Sequence, residues 1–271
     1  MPTPGQLLLL ALSIALFAAG GVISVACLWW DKRTLRIASR CCLGSGIVTA
    51  IGVIIWHAAH RRNWVPIGDN FDALIWLATL LAMFVLYVQR HRTLGALDWF
   101  VMPLVIVLLV IAGIFGMTEY HAYHSGVDNA WAWVHRVTAY GGAVAFAIAA
   151  GCGAMYVWAS GRLRSKKSVG PQFGSLERLE HLTMVSVTLG FALLTIGMVT
   201  GGVKMLADRS AHTPTTKVVL AVVVWLVYAV VLHAPINPSL RGRKVAVLSV
   251  VGFVLMLGTI VTVLLLPGGT S

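Results

Sequence analysis

The sequence predicts an all-α fold: a polytopic transmembrane bundle of about eight helices, with both termini on the extracytoplasmic side. Three observations predict it. Of the 271 residues, 59% are hydrophobic and only 11% are charged, against roughly 25% charged in ordinary soluble domains. Mean hydropathy is +0.88. The apolar residues gather into eight continuous runs, and the basic residues fall in alternate connections between them. So little charge cannot clothe a soluble surface. This excludes a soluble enzyme, a disordered tail and a secreted disulfide scaffold. The net charge of +11 reads as basic cytoplasmic loops, not as a nucleic-acid surface.

A spanning helix needs about 20 mostly apolar residues. Leu7–Trp29, Ile37–His57, Phe71–Val88, Trp99–Met117, Trp131–Trp158, Leu179–Val203, Val218–His233 and Val245–Leu266 qualify. Met1–Gly20 contains no Lys or Arg, so the first run reads as a retained helix and not a cleaved signal peptide. The third run carries Asp72 at its start, the fifth is long and rich in Gly and Ala, and the seventh is short. A membrane barrel would show alternating polarity. These runs are continuously apolar, and in lipid such segments satisfy their backbone only as helices.

Lys32, Arg33, Arg36 and Arg40 follow the first run, and Arg90 and Arg92 the third. Arg162, Arg164, Lys166, Lys167 and Arg178 follow the fifth, and Arg241, Arg243 and Lys244 the seventh. These connections hold 14 of the 20 basic residues. Arg61, Arg62, Arg136, Lys204, Arg209 and Lys217 lie on the other side. The excess of positive charge places the first set in the cytoplasm.

The four cysteines, Cys27, Cys41, Cys42 and Cys152, form no C-x-x-C and no zinc spacing,, and read as inert thiols within helices. The glycine pairs Gly44/Gly46, Gly141/Gly142, Gly151/Gly153 and Gly201/Gly202 fall inside the runs. They suit close helix approach in lipid; a close approach by a flat cofactor is the sharper alternative. No long internal repeat and no low-complexity segment stands out.

Nine histidines in so apolar a chain are the informative feature. Ionisable groups at membrane depth are costly and tend to be functional, and imidazole binds haem iron and transition metals through a neutral ring nitrogen. His135 lies in a run of aromatic residues with Trp131 at i−4. It reads either as an interfacial residue of an aromatic belt or as a ligand. His233 ends the seventh run, where a histidine also complements a helix dipole. His57/His60 and His121/His124 each form H-x-x-H, which one helical turn would place on one face. A two-pair metal site is the sharp reading and solvated loop histidines the default. His212 and His91 lie in polar loops. His181, after Glu177 and Glu180, reads as part of a polar helix start.

Four segments in order resemble the cytochrome c assembly family of haem-handling membrane proteins, the CcsA, CcmC and HemX type. Pro66–Trp76 (PIGDNFDALIW) is similar to the family's Pro-x-x-Asn-x-Tyr-Glu-Ser segment, with Phe71 and Asp72 in place of Tyr and Glu. Trp133–Phe146 (WVHRVTAYGGAVAF) is similar to its His-Val…Gly-Tyr-x-x-Phe helix. Ser175–Leu182 with Leu189–Gly201 (LGFALLTIGMVTG) is the strongest match. Trp225–His233 (WLVYAVVLH) resembles Trp-Leu-x-Tyr-x-x-Tyr-Leu-His. The resemblance spans roughly residues 50–266 within a single integral membrane domain, 1–271.

That resemblance implies an eight-helix bundle in the bacterial cytoplasmic (inner) membrane that binds or delivers haem b in cytochrome c biogenesis. It also implies a membrane protein partner from a cytochrome c maturation complex. In the family, one outer and one inner histidine take part in haem ligation; His135 and His233 occupy those positions. The haem would lie against Trp131, Trp133 and Tyr140, with the glycine face beginning at Gly141 and Gly142 admitting the macrocycle. Arg136 or Arg61 would pair with its propionates. A second outer ligand would come from His57, His60, His121, His124 or His212. The chain departs from the haem-transferring members in two places. Lys204–Lys217 contains no Trp where they carry a Trp-rich segment, and Leu266–Ser271 lacks their Gly-Leu-His-Ser-Tyr ending. Both point to a divergent, HemX-like member. The alternatives are a non-catalytic membrane scaffold or regulator that binds a protein partner, and a small-molecule transporter. No catalytic residues are expected, and the chain is read as more a haem handler than an enzyme.

Overall fold

A run that is apolar all round has no polar face to leave in water, so each predicted span folds as a helix whose packing depends on where its small residues fall. The computed structural model describes residues 2–30, 32–61, 70–91, 96–115, 127–166, 174–207, 215–234, 236–237 and 241–265. They form eight α-helices: α1 (Pro4–Trp29), α2 (Arg33–Arg61), α3 (Asn70–His91), α4 (Asp98–Phe115), α5 (Val127–Arg164), α6 (Leu176–Ala207), α7 (Thr215–Leu232) and α8 (Arg243–Leu265). Over its described residues, each expected run lies within one helix, apart from His233 just past the end of α7. Six helices are long and apolar enough to cross a membrane. The apolar stretches of α4 and α7, Asp98–Ile114 and Val218–Leu232, are shorter. At 18 residues each, these two helices extend about 27 Å, close to the thickness of a bilayer's hydrocarbon core.

The helices divide into two compact units, α1–α4 and α5–α8. In the first, α1 packs on α2 and α4, and α3 on α2 and α4, closing a ring of four. Thr3 caps α1 with a reciprocal bond to Gln6, and Pro4 opens the helix, where its missing N–H costs nothing. Phe17 and Leu43 are fully buried between α1 and α2. Gly46 makes room for Phe17: a Cβ there would stand 2.9 Å from the ring.

In the second unit, α5 packs along α6 and α8, and α7 bridges α6 and α8. Its centre is a stack of two rings. Phe146 of α5 and Tyr228 of α7 lie 3.6 Å apart between centroids at 8°, and both are completely buried. Glycines floor both sides. A Cβ at Gly190 of α6 would stand 2.7 Å from Phe146, and one at Gly252 of α8 would stand 2.9 Å from Tyr228. The Tyr228 hydroxyl donates to the Ser249 carbonyl at 3.3 Å. Gly142 and Gly153 serve the same packing. Their Cβ positions would lie 3.2 Å from the Gly190 carbonyl oxygen and 2.7 Å from that of Ala246. Gly141 faces Leu193 of α6. The glycine face at Gly141 and Gly142 is therefore filled by α6 and offers no opening to a macrocycle.

Candidate functional site

His135 sits two turns into α5 and faces α6. Its Nδ1 lies 2.7 Å from the carbonyl oxygen of Gly197. A carbonyl only accepts, so the ring nitrogen there carries the hydrogen, and in the neutral imidazole Nε2 is then the nitrogen with the lone pair. The ring lies against Gly201, where a Cβ would come within 2.9 Å of Nδ1 and Cε1. The glycines of Leu189–Gly201 thus serve two purposes: Gly190 admits Phe146, and Gly201 admits the imidazole. Thr138, one turn on, returns its hydroxyl to the Val134 and His135 carbonyls and fills the space beside Gly197.

The expected aromatic wall divides. Trp131 is one turn before His135, on the same stripe, and 45% exposed. Trp133, two residues before His135, points to the far side of α5, because residues at i and i+2 do not face each other. Tyr140, seven residues after Trp133, shares that far stripe. Trp133, Arg136 and Tyr140 are all half-buried.

His233 follows the last turn of α7 and is exposed. Its Nδ1 lies 2.7 Å from the Ala229 carbonyl of its own helix. Like His135, it carries the hydrogen on Nδ1 and presents Nε2. The next residue, Ala234, lines a cavity of about 310 Å³ with Glu180, Met184, Arg241 and Val245. The turn on its far wall is fixed. Gly242 takes φ +69°, a conformation that favours glycine, and donates its N–H to the Glu180 carboxylate at 3.1 Å. Sequence reasoning missed these lining residues. In the sequence Glu180 stands out only as a polar neighbour of His181, and nothing in the spacing brings Met184 and Arg241 together.

The two histidines stand at opposite ends of the second unit. His135 is level with Gly197, and Ala234 with Glu180. Seventeen residues of α6 separate those levels, roughly 25 Å at the helical rise. One iron cannot reach both.

The remaining expectations distribute differently. His57 is not a solvated loop residue: it is 2% exposed, inside α2 of the first unit. Its Nδ1 lies 3.3 Å from Gln6 Oε1 and its ring is 4.9 Å from that of Phe71. His60, one turn later, is exposed, so the H-x-x-H pair spans a buried and an exposed environment and makes no joint site. Arg61 is engaged by Asp72 in a largely buried ion pair, which removes it as a propionate partner. His121, His124 and His212 lie outside the described residues. Among the described residues no group of three His, Cys, Asp or Glu side chains could hold a metal ion. Cys27, Cys41, Cys42 and Cys152 form no disulfide.

Residues 64–268 match the sequence model of the family described as Cytochrome C assembly protein. Among curated relatives, the chain is similar to the cytochrome c biogenesis protein CcsA of Prochlorococcus marinus strain NATL2A. The two are 36% identical over 110 residues, covering 40% of this chain and 35% of the relative. The CcsA of Thermosynechococcus vestitus is 42% identical over 80 residues, 28% of this chain and 24% of the relative. That of Guillardia theta is 36% identical over 94 residues, 34% and 31% respectively. The matched region thus spans about a quarter to a third of each of these relatives. No solved structure matches the chain.

Proposed function

This chain belongs to the cytochrome c assembly protein family, and from that premise we propose that it handles haem in cytochrome c biogenesis, as an integral protein of the bacterial cytoplasmic membrane with both termini outside. The observation that carries the reading is the hydrogen bond from His135 Nδ1 to the Gly197 carbonyl. A metal-ligating imidazole characteristically donates its other N–H to a carbonyl or carboxylate, which fixes the tautomer and raises ligand basicity. His135 has that arrangement, with the Gly201 cradle beside it. His233 has it through Ala229.

In this reading haem b is cargo. His135 offers Nε2 at the outer end of the second unit and Trp131 supplies an adjacent ring. His233 offers Nε2 at the basic end, where Arg241 and Met184 line the neighbouring cavity. Arg136, next to His135, is the candidate partner for a propionate. Trp133 and Tyr140, on the far stripe of α5, are assigned to helix packing. His121 and His124 remain candidates for a second outer ligand. The protein partner is a membrane component of a cytochrome c maturation complex.

A second reading, a membrane scaffold that keeps the fold without the haem chemistry, is favoured by one observation: Lys204–Lys217 contains no Trp. Complementation separates the two. In a strain lacking the gene, a copy with both His135→Ala and His233→Ala is expected to leave c-type cytochrome content at the deletion level while the protein accumulates normally. Restoration to the wild-type level by that copy refutes haem handling and supports the scaffold.

A further inference from the structure

We propose that the first turns of α2 form a binding site for the phosphate headgroup of an anionic phospholipid. Arg33, Arg36, Ile37 and Arg40 line one cavity of about 200 Å³ in the first unit. They stand at i, i+3, i+4 and i+7, a single stripe of the helix, so three guanidinium groups border the same space. The stripe begins a 29-residue helix whose first turn carries no acidic side chain. The positive end of the helix dipole therefore adds to the three charges.

One of the three is fixed from behind. Arg40 donates through Nη2 to the backbone carbonyl of Gln89 on α3. Gln89 in turn donates through Nε2 to Ser39 Oγ at 3.4 Å and to the Asp98 carboxylate. Asp98 also accepts from Ser24, and Ser39 donates to the Gly20 carbonyl. Four helices thus contribute to a polar network that holds Arg40. Asp98 is 1% exposed; it closes the network behind Arg40 and is not among the residues that line the cavity.

The guanidinium fork matches phosphate oxygens in pairs. Free phosphate and a lipid headgroup share that chemistry. The lipid is favoured because Ile37, 50% exposed, lies between the arginines where the apolar run of α2 begins. A bound lipid would carry its headgroup onto the charges and its acyl chains along that run. Basic clusters at the end of a membrane helix attract anionic headgroups in this way.

The test is native mass spectrometry of the full chain, released from nanodiscs of phosphatidylcholine containing phosphatidylglycerol. Wild-type protein is expected to retain a phosphatidylglycerol that the triple variant R33Q/R36Q/R40Q loses. The single variants R36Q and R40Q should each weaken retention by about tenfold, and they decide the matter if the triple variant fails to insert. A control, R162Q/R164Q/K166Q, removes the same charge from the end of α5 and should retain lipid as wild type does. Equal retention by wild type and the α2 variants, or equal loss in the control, overturns the proposal. Displacement by inorganic phosphate at matched concentration overturns the lipid as occupant and assigns the site to soluble phosphate.

Discussion

The His135 imidazole donates to the Gly197 carbonyl at 2.7 Å, across the contact between α5 and α6. A side chain near the start of one helix is thereby held in a single tautomer by the backbone of another. The arrangement needs a bare backbone on α6, and Gly201 provides it.

Gly201→Ala places a methyl group 2.9 Å from the ring and turns the imidazole off the Gly197 carbonyl. Haem affinity, read by titrating the purified protein with haemin, should fall by about tenfold, the low end for losing the partner that orients a metal ligand. Gly202→Ala, which meets nothing within 4 Å, should leave the titration unchanged.

Gly190→Ala should act on stability. Its Cβ would stand 2.7 Å from Phe146, and Phe146 cannot retreat because Tyr228 is stacked behind it. Overpacking of this kind costs about 1–3 kcal/mol. Thermal unfolding in detergent should show a lowered midpoint for Gly190→Ala and none for Gly44→Ala, which has open space.

Asp72→Asn should be more harmful than its small change in shape suggests. It leaves the Arg61 charge buried beside a neutral amide, and breaking a buried pair costs about 3–5 kcal/mol. The double variant Arg61→Met/Asp72→Asn removes both charges and should recover part of that loss. Equal midpoints for Asp72→Asn and wild type would show that the pair contributes nothing.

The proposed orientation has its own test. In a chain with its four cysteines changed to serine, Ser165→Cys at the exposed end of α5 should react with a membrane-impermeant maleimide only from the cytoplasmic side. Ala59→Cys, exposed near the end of α2, should react only from outside. The reverse pattern would invert the topology.

The helices were legible in the sequence because length and continuous apolarity are one-dimensional properties. The sequence could not show which face each helix buries. A helix with little polarity contrast around its circumference, such as α6, carries almost no facial signal, and the contacts among α5, α6, α7 and α8 are set where glycines of α5, α6 and α8 admit a neighbour. Gly190 and Gly252 reveal their partners only once Phe146 and Tyr228 are placed. His57 was misread for a related reason. Its polarity and its position near the end of a span suggested water, but Gln6, fifty-one residues away, caps α1 and meets it inside the unit. The division of the aromatic wall was available beforehand: Trp133 and His135 are two residues apart, and on a helix that spacing separates them. The cavity beside His233 was not available, since it depends on the turn that Gly242 makes before α8.

The most direct measurement is the absorption spectrum of the purified full chain with added haemin, for wild type, His135→Ala, His233→Ala and the double variant. Haem handling predicts a saturable, shifted Soret band in wild type, weakened in each single variant and abolished in the double. A wild-type spectrum identical to free haemin, or a band unchanged in the double variant, would contradict it.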